Sequence, residues 1–266
     1  MSLKFSKLGL PLGVDGLQEV LEMLKINSAS LWAVLTVETL GCGFLPDRRP
    51  QILFERHIFS RETKGKFDKQ APDISNPKPG GYGKPGAFQY ERLEKAMALA
   101  EEPALKSASW GLAQVMGFNH KKAGYKTVYE MVQDFVESED NQLLGMAQFL
   151  KSEKLDVYLR QRDWANFARR YNGPAYKQNS YDSRLAAAYR KFRYGPLPDL
   201  AVRQAQVFLI YLGFNPGPVD GVMGRFTRSA MNEFQEKNGL PETKEVTEEV
   251  LKELRKAVEN LLENEE

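Results

Sequence analysis

Glu38 is the residue of this sequence whose surroundings best suit acid chemistry. It is the single charged residue in SLWAVLTVETLGCGF, residues 30–44. On a helix of 3.6 residues per turn it continues the apolar stripe of Leu31, Val34 and Leu35, so its carboxyl group is expected to face the core. Burial and the negative end of the helix dipole both disfavour the charged form. We therefore predict a raised pKa for Glu38, as a general acid working near neutral pH needs.

A second carboxylate, Glu55, lies in QILFERHIF, residues 51–59, which is rich in β-branched and aromatic residues. If this segment is extended, Leu53, Glu55 and His57 share one face. A carboxylate across a cleft from a protonated one is the arrangement used in glycoside hydrolysis, where it acts as a nucleophile or as the base that activates water. The two glutamates together are compatible with cleavage of a glycosidic bond.

Structural roles are the alternative for both glutamates. Glu38 could face solvent at the end of its helix or pair with Arg48 or Arg49. Around Glu55, the alternative is a structural ion pair of the type Arg56–Glu91 or Glu55–Arg92. Ion pairs of this kind are common on protein surfaces and contribute little to stability. The position of each glutamate along the chain does not by itself choose between the structural and the catalytic interpretation.

The composition argues against several kinds of site. The 266 residues include one cysteine, Cys42, and two histidines, His57 and His120. One cysteine forms no internal disulfide, and so few sulfur and imidazole groups make a zinc site unconvincing. We therefore expect no metal and no other cofactor. Cys42 is interpreted as a small buried hydrophobic residue, with a nucleophile as the alternative.

The charge of the chain is unevenly distributed. The formal net charge is +2, yet residues 200–266 carry 8 Lys and Arg against 12 Asp and Glu. The remaining front portion is mildly basic, which suits a polyanionic partner such as cell wall or nucleic acid. Because its Lys and Arg residues form no stripe with interleaved aromatic residues, we do not expect nucleic-acid binding.

No apolar stretch of the sequence is long enough to span a bilayer, so membrane insertion is not expected. The first residues, MSLKFSKLGLPLGVDG, contain no continuous apolar core or small-residue cleavage site, and we therefore recognise no secretory signal. If the protein acts outside the cell, it is expected to be made in the cytoplasm and released by lysis or by dedicated export.

Apolar spacing predicts a mostly helical front portion with a small extended element. A Gly- and Pro-rich loop over residues 64–86 interrupts it, and YNGPAY breaks the pattern again. Asn27 and Ser28 offer an N-cap for the helix that carries Glu38. The helices are predicted over residues 16–26, 28–40, 90–101, 107–117, 127–137, 140–152, 155–170 and 181–192.

The end of the chain has the pattern of a small three-helix unit. RYGPLPD, residues 193–199, is typical of a linker. Beyond it, helices are predicted over about 200–212, 225–238 and 247–263. We therefore divide the chain into a domain over residues 1–192, a linker over 193–199 and a second domain over 200–266.

Four motifs in the front portion together resemble one family. VET followed by Gly41 and Gly43-Phe44, then LFERH, SWGLAQVMGFN and YNGP, are similar to the N-acetylmuramidase domain of phage endolysins and related bacterial proteins. The likeness runs from about residue 15 to 190. It implies a lysozyme-like α+β fold and bacteriolytic cleavage of peptidoglycan between N-acetylmuramic acid and N-acetylglucosamine. It also implies that Glu38 is the catalytic acid and that Glu55 assists.

The same resemblance suggests which residues touch the sugar. On the predicted helix over 107–117, Ser109 and Gln114 are five positions apart and do not quite share a face. Ser109 is expected to shape the surroundings of the acid, and Gln114 to bond an acetamido group or the backbone. Tyr171 and Asn172 are expected to line the cleft. Tyr82 and Tyr90 are candidates for stacking on a pyranose ring, with loop or core packing as the alternative. His57 is a candidate for orienting Glu55, with a structural role as the alternative.

The C-terminal portion resembles the three-helix peptidoglycan-binding domain over about residues 198–262. The matching positions include Gln206, Asp220-Gly221, Thr227 and Phe234-Gln235. We interpret most of them as residues that maintain the fold. The resemblance implies anchoring to the wall, which raises the effective concentration of a weakly binding catalytic domain. The expected partner is the glycan strand of peptidoglycan, bound by a monomer.

Two other functions are compatible with the sequence. A lytic transglycosylase would use the same substrate with Glu38 as sole acid and base, the muramic acid's own 6-hydroxyl attacking. A wall-binding protein without catalysis would retain sacculi but release no fragments. Replacing each glutamate by glutamine separates these functions from hydrolysis.

Overall fold

The computed structural model describes residues 3–39 and 41–265, and within them it leaves the side chains of Glu38, Pro174, Ala175, Asn264 and Glu265 outside the description. These ranges contain three short strands and thirteen α-helices. The strands are β1 Ile52–Phe54, β2 Ala108–Trp110 and β3 Val115–Met116. The helices are α1 Val14–Leu24, α2 Ser28–Glu38, α3 Arg56–Glu62, α4 Phe88–Leu99, α5 Glu101–Lys106, α6 Val128–Phe135, α7 Glu139–Ser152, α8 Asp156–Gln161, α9 Trp164–Tyr171, α10 Tyr181–Tyr194, α11 Leu200–Tyr211, α12 Arg225–Lys237 and α13 Glu248–Glu265.

Helix α2 is the central helix of the larger core. Asn27 caps it as predicted, because its side-chain oxygen accepts a hydrogen bond from the Ser30 N–H at 2.9 Å. All five residues 31–35 are buried, and α2 packs along α10. The helix is therefore covered on every side over these residues. A single core-facing stripe, as the sequence suggested, does not describe it.

The helix predicted over residues 107–117 is wrong, because this segment is a β-hairpin. β2 pairs antiparallel with β1 on one side and with β3 on the other. Between them Gly111 has φ +68° and Gln114 has φ +50°, which a helix does not accommodate. A Cβ at Gly111 would lie 2.5 Å from the side-chain carbon Cδ of Gln142. A short apolar run that is buried all round has no periodicity to distinguish strand from helix.

The extended segment predicted over residues 51–59 is correct only as far as Glu55. Strand β1 ends at Phe54, Glu55 is extended with φ −105° and ψ 97°, and α3 begins at Arg56. His57 therefore lies in the first turn of a helix. The His57 side chain lies near Glu55 because of this helical turn. It is not there because alternate residues of a strand share a face.

The loop predicted over residues 64–86 is irregular throughout in the described chain, and buried polar groups hold it in place. The Asp68 carboxylate accepts hydrogen bonds from Ser60 at 3.0 Å and from Ser75 at 2.5 Å. The Gln89 amide nitrogen donates to the backbone oxygens of Tyr82 and Lys84, both at 2.7 Å. These bonds fix the position of the loop without any secondary structure.

The three helices predicted for the C-terminal unit are confirmed as α11, α12 and α13. Gln206 joins two of them. Its side-chain oxygen accepts from the Asp220 and Gly221 N–H groups at 3.1 and 2.9 Å, and its nitrogen donates to the Thr227 hydroxyl at 3.1 Å. These motif residues therefore bond one another inside the unit, as a role in maintaining the fold requires. The domain boundaries stay a prediction.

The C-terminal unit packs closely on the front portion. Cys42 and Phe44 belong to the same buried cluster as Phe208, Met231 and Leu254. This cluster is separate from the larger core around α2. The segment that follows α2 is thus buried partly by the C-terminal helices.

Among the described residues, no single helix has the length and apolar character to cross a membrane. One bent pair, Val14–Leu24 with Ser28–Val37, meets that test when the two are joined.

Candidate active site

Glu55 is a largely buried carboxylate at the junction of β1 and α3. Its side chain is 16% exposed, and its backbone N–H donates to the Ser107 oxygen at 2.9 Å. The carboxylate Oε2 lies 3.1 Å from His57 Nδ1. These two buried atoms are close but not aligned as a hydrogen bond, so their interaction is electrostatic. The structure thus brings together Glu55 and His57, the residue expected to orient it.

Tyr82 lies beside Glu55, although it comes from the irregular loop. Burial, the negative charge of Glu55 and a hydrogen bond to Glu55 together raise the pKa of Tyr82. The phenol is therefore protonated at neutral pH and donates to the carboxylate. Its side chain is 39% exposed, so part of the ring also faces solvent.

The arginines near Glu55 are occupied elsewhere. Arg56 donates to the Lys78 oxygen at 3.1 Å, and Arg92 donates to the Asp73 oxygen at 3.0 Å. The Arg92 guanidinium carbon also lies 5.7 Å from the centre of the Phe54 ring. The structure therefore does not show the Glu55–Arg92 ion pair that the sequence left open.

Ser109 and Gln114 meet across the β2–β3 hairpin. The Ser109 hydroxyl donates to the Gln114 side-chain oxygen at 2.8 Å, and the Gln114 nitrogen donates to the backbone oxygens of Gly111 and Gln51 at 2.8 and 3.1 Å. The expectation that they lie on different faces of one helix is therefore wrong. Ser109 is 5% exposed, so this network supports the sheet from within.

Tyr171 joins α9 to the same hairpin. Its hydroxyl donates to the Ala113 oxygen at 3.2 Å, and its ring stacks on Phe167 with centroids 5.4 Å apart. Asn172 follows as the C-cap of α9, its N–H bonded to the Ala168 oxygen at 2.8 Å. Both residues are half-buried.

Tyr90 is not available to stack on a sugar. It is 1% exposed, and its hydroxyl donates to the Pro50 oxygen at 2.8 Å. Burial raises its pKa well above the ordinary value. Tyr90 belongs to the core together with Trp32 and Trp110, and Trp164 packs against that core while partly exposed.

Glu38 is the last residue of α2, and its side chain lies outside the described part of the structure. Thr39 ends the helix: its N–H and its hydroxyl both bond the Leu35 oxygen, at 3.2 and 2.5 Å. The raised pKa of Glu38 therefore stays a prediction from the sequence.

A cavity of about 830 Å³ opens beside the end of α2. Thr39 and Gly41 line one side, Leu112 of the hairpin lies next to them, and Val219 and Asp220 of the C-terminal unit face them. Glu55 and Tyr82 are not part of this wall. The cavity therefore adjoins the end of α2 and the junction of the two units.

Among the side chains that the structure describes, no three from His, Cys, Asp or Glu come together in a way that could hold a metal. Cys42 is buried, and burial and then the charge of Glu139 raise the pKa of its thiol. A protonated, inaccessible thiol is a poor nucleophile. The structure thus favours the interpretation of Cys42 as a small hydrophobic residue.

Sequence reasoning missed two glutamines that organise the site. Gln51 accepts from Gly111 N–H at 2.8 Å through its backbone oxygen, and its side chain donates to the Cys42 oxygen at 3.1 Å. The Gln89 side-chain oxygen accepts from the Phe54 N–H at 3.0 Å. The only available signal was a polar residue inside or beside an apolar run, which is weak.

Comparison with known proteins gives two family matches and a similar solved structure. Residues 27–193 match the N-acetylmuramidase family model, and residues 199–254 match that of the peptidoglycan binding domain. The crystal structure of Burkholderia AP3 phage endolysin is 39% identical in a match that covers 67% of this chain and 69% of that chain, with a TM-score of 0.64. The comparison with curated proteins gives no match. Because the first match covers more than half of the residues, the chain belongs to the N-acetylmuramidase family.

Proposed function

We propose that this protein is a peptidoglycan hydrolase that cleaves the β-1,4 bond between N-acetylmuramic acid and N-acetylglucosamine. Membership of the N-acetylmuramidase family and the C-terminal peptidoglycan-binding match support peptidoglycan as the substrate. The similarity to a phage endolysin supports action on the bacterial cell wall. Glu38 is assigned as the general acid and Glu55 as the assisting carboxylate.

The environment of Glu55 is the observation that carries this proposal. A largely buried carboxylate costs stability unless its charge is balanced, and here no arginine balances it among the described contacts. Instead it has an imidazole at 3.1 Å and a tyrosine hydroxyl beside it. Groups that orient a carboxylate without neutralising it permanently suit a base or a stabilising anion.

The segment after Glu38 is fastened to the strand before Glu55. The Gln51 N–H donates to the Gly43 oxygen at 2.8 Å, and the Gln51 side chain donates to the Cys42 oxygen. These bonds join the end of α2 to the start of β1. A fixed relation between the two elements is what two carboxyl groups acting on one bond require.

In the proposed reaction Glu38 protonates the glycosidic oxygen as the bond to the leaving sugar breaks. Glu55 activates a water molecule or stabilises the oxocarbenium-like centre that develops. Tyr82 and His57 lie beside the Glu55 carboxylate, and the exposed part of the Tyr82 ring offers a surface for a pyranose.

The remaining candidates are assigned to supporting roles. The Gln114 amide is engaged by Ser109, Gly111 and Gln51, so we assign Ser109 and Gln114 to holding the hairpin. Tyr171, which donates to the Ala113 oxygen of that hairpin, and the adjacent Asn172 are assigned to sugar contact. The C-terminal unit is assigned to anchoring on the wall.

Digestion of purified peptidoglycan with product analysis tests the function. The wild type is expected to release muropeptides with reducing muramic acid ends, and Glu38→Gln to lose about 100-fold or more of the rate, the usual range for general acid catalysis. The cleavage rate of Glu55→Gln is expected to fall strongly as well. Near-normal turnover of Glu55→Gln with anhydro-muramic ends identifies a transglycosylase. Binding to sacculi without release of fragments by the wild type identifies a wall-binding protein.

A further inference from the structure

The backbone that follows α2 is held by a residue of the C-terminal unit. The Gly41 oxygen accepts a hydrogen bond from Arg203 Nη2 at 2.7 Å, and the Gly43 N–H donates to Glu139 Oε1 at 2.6 Å. Arg203 lies on α11, and Glu139 is the first residue of α7. Helices α7 and α11, which are distant in sequence, therefore both bond the segment over residues 41–43. We call it the gripped segment.

Glu139 and Arg203 form a buried ion pair around this segment. Their side chains are 0% and 3% exposed, and Arg203 contacts both carboxylate oxygens, with Nη2 at 2.9 Å from Oε1. The carboxylate also accepts from the Leu12 N–H at 2.7 Å. Burial alone would raise the pKa of Glu139, but the guanidinium charge and these bonds hold it below the ordinary value. Both partners are therefore charged and fully engaged.

The gripped segment has little freedom to adopt another course. Gly41 has φ +89°, and a Cβ at Gly43 would lie 2.0 Å from the Gln142 side-chain oxygen. Gly41 stands three residues after Glu38, just beyond the cap of α2. Helix ends fray unless the chain that follows is fixed, and misplacing a catalytic group by about 1 Å can cost about 100-fold in rate.

We propose that Arg203 is a positioning residue for Glu38, so that the C-terminal unit is part of the catalytic apparatus and not only a tethered anchor. This inference rests on the proposed function, in which Glu38 is the acid. Arg203 acts through the backbone at Gly41 and through Glu139.

The two roles of the C-terminal unit predict different kinetics. An anchor raises the local concentration of enzyme at an insoluble wall, and it has little effect on short soluble strands. A positioning residue changes kcat on any substrate. Soluble, uncrosslinked glycan strands therefore separate positioning from anchoring.

The variant Arg203→Lys tests the proposal in the full chain. Lysine keeps a positive charge beside Glu139, but its single ammonium group does not reproduce the planar fork that reaches both Glu139 and Gly41. On soluble strands we expect kcat to fall at least tenfold, with KM and sacculus binding within twofold of wild type. The matched control is Gln204→Ala, which removes a 3.0 Å bond from Gln204 to the Leu12 oxygen at the same junction and leaves the gripped segment intact. Its kcat is expected within twofold of wild type.

Cys42 supplies a second readout that does not depend on catalysis. It is the only cysteine of the chain and is buried inside the gripped segment. If Arg203 holds this segment, Arg203→Lys makes the thiol react at least tenfold faster with a soluble disulfide reagent, while Gln204→Ala does not. The Glu38→Gln variant tests the proposed function separately. If it cleaves as fast as wild type, Glu38 is not the acid. The labelling rates of Cys42 still show whether Arg203 holds the gripped segment.

Two results overturn the proposal. One is a wild-type kcat or a wild-type labelling rate for Arg203→Lys. The other is an equal loss of kcat in Arg203→Lys and Gln204→Ala that follows their melting temperatures, since this indicates only weakened packing of the two units.

Discussion

Ser109 and Gln114 face each other across the β2–β3 hairpin, where the Ser109 hydroxyl donates to the Gln114 side-chain oxygen at 2.8 Å. This contact exists because Gln114 takes up a left-handed backbone conformation, with φ +50°. A non-glycine residue is strained there and persists only when other bonds hold it. The three bonds of the Gln114 amide, to Ser109, Gly111 and Gln51, provide that hold.

The backbone conformation at position 114 predicts an unusual order of stability, in which the glycine variant is more stable than the alanine variant. Gln114→Ala and Gln114→Gly both lose the amide bonds, but only glycine adopts φ +50° without strain. We expect Gln114→Gly to be more stable than Gln114→Ala by about 1 kcal/mol in denaturant unfolding. At Gln148, an exposed position inside α7, the same pair of replacements should give the opposite order, with alanine more stable by about 1 kcal/mol. Alanine being the more stable replacement at both positions would contradict the assignment of strain to residue 114.

Gly43 is predicted to tolerate no side chain. A Cβ there would lie 2.0 Å from the Gln142 side-chain oxygen, which accepts from the Leu112 N–H at 2.6 Å. Gly43→Ala therefore has to displace a buried hydrogen-bonded amide, and we expect a loss of about 2 kcal/mol or more in the free energy of unfolding. Gly224→Ala is the control, because a Cβ there would lie 4.0 Å from the Val222 oxygen. Equal, small losses in both variants in thermal and denaturant unfolding would show that Gln142 moves aside freely.

Tyr82 is predicted to contribute to turnover through its hydroxyl group. That group donates to the Glu55 carboxylate, and bonds to charged groups contribute about 1.5–3 kcal/mol. Tyr82→Phe keeps the ring surface and loses the bond, so kcat on soluble glycan strands should fall about tenfold. Tyr194→Phe, at a side chain that is 85% exposed, should have no effect. If both variants turn over like wild type, the hydroxyl does not serve Glu55.

Much of the fold could be predicted because most of its helices are amphipathic or clearly capped. The Asn27 cap, the helices of the C-terminal unit and the irregular loop before α4 were all evident in the sequence. The hairpin was not, since residues 108–113 are buried all round and an unbroken apolar run carries no period. The assignment of Glu38 as acid came from resemblance and from its place at the end of α2, and it stays a proposal.

The contacts around the site could not be predicted because they join residues far apart in the chain. Tyr82 reaches Glu55 only because Gln89 and Arg56 hold the loop from two sides. Arg203 and Glu139 are 64 positions apart, and each reads in isolation as an ordinary surface charge. Local sequence pattern and propensity contain no information about such pairings, because these depend on how the helices and strands pack in the tertiary structure.

The buried pair Glu139–Arg203 predicts how stability depends on pH. The folded-state pKa of Glu139 lies below its ordinary value of 4.5, so the unfolded chain takes up the proton first as the pH falls. The stability that this carboxylate contributes is therefore complete above about pH 5 and is lost as the pH falls below 4.5 toward the folded-state pKa.

Glu139→Gln isolates this contribution. At pH 7 it leaves Arg203 buried without its counter-charge, and we expect a loss of about 3–5 kcal/mol in the free energy of unfolding. Because glutamine does not titrate, the gap between wild type and variant should narrow as the pH falls from 5 to 3.5, measured by urea unfolding at each pH. Glu137→Gln is the control: Glu137 pairs with Lys7 at a surface where both side chains are nearly half exposed, so its replacement should cost less than about 1 kcal/mol at every pH. A gap for Glu139→Gln that stays constant over this range would mean that the carboxylate is not held in its charged form by Arg203.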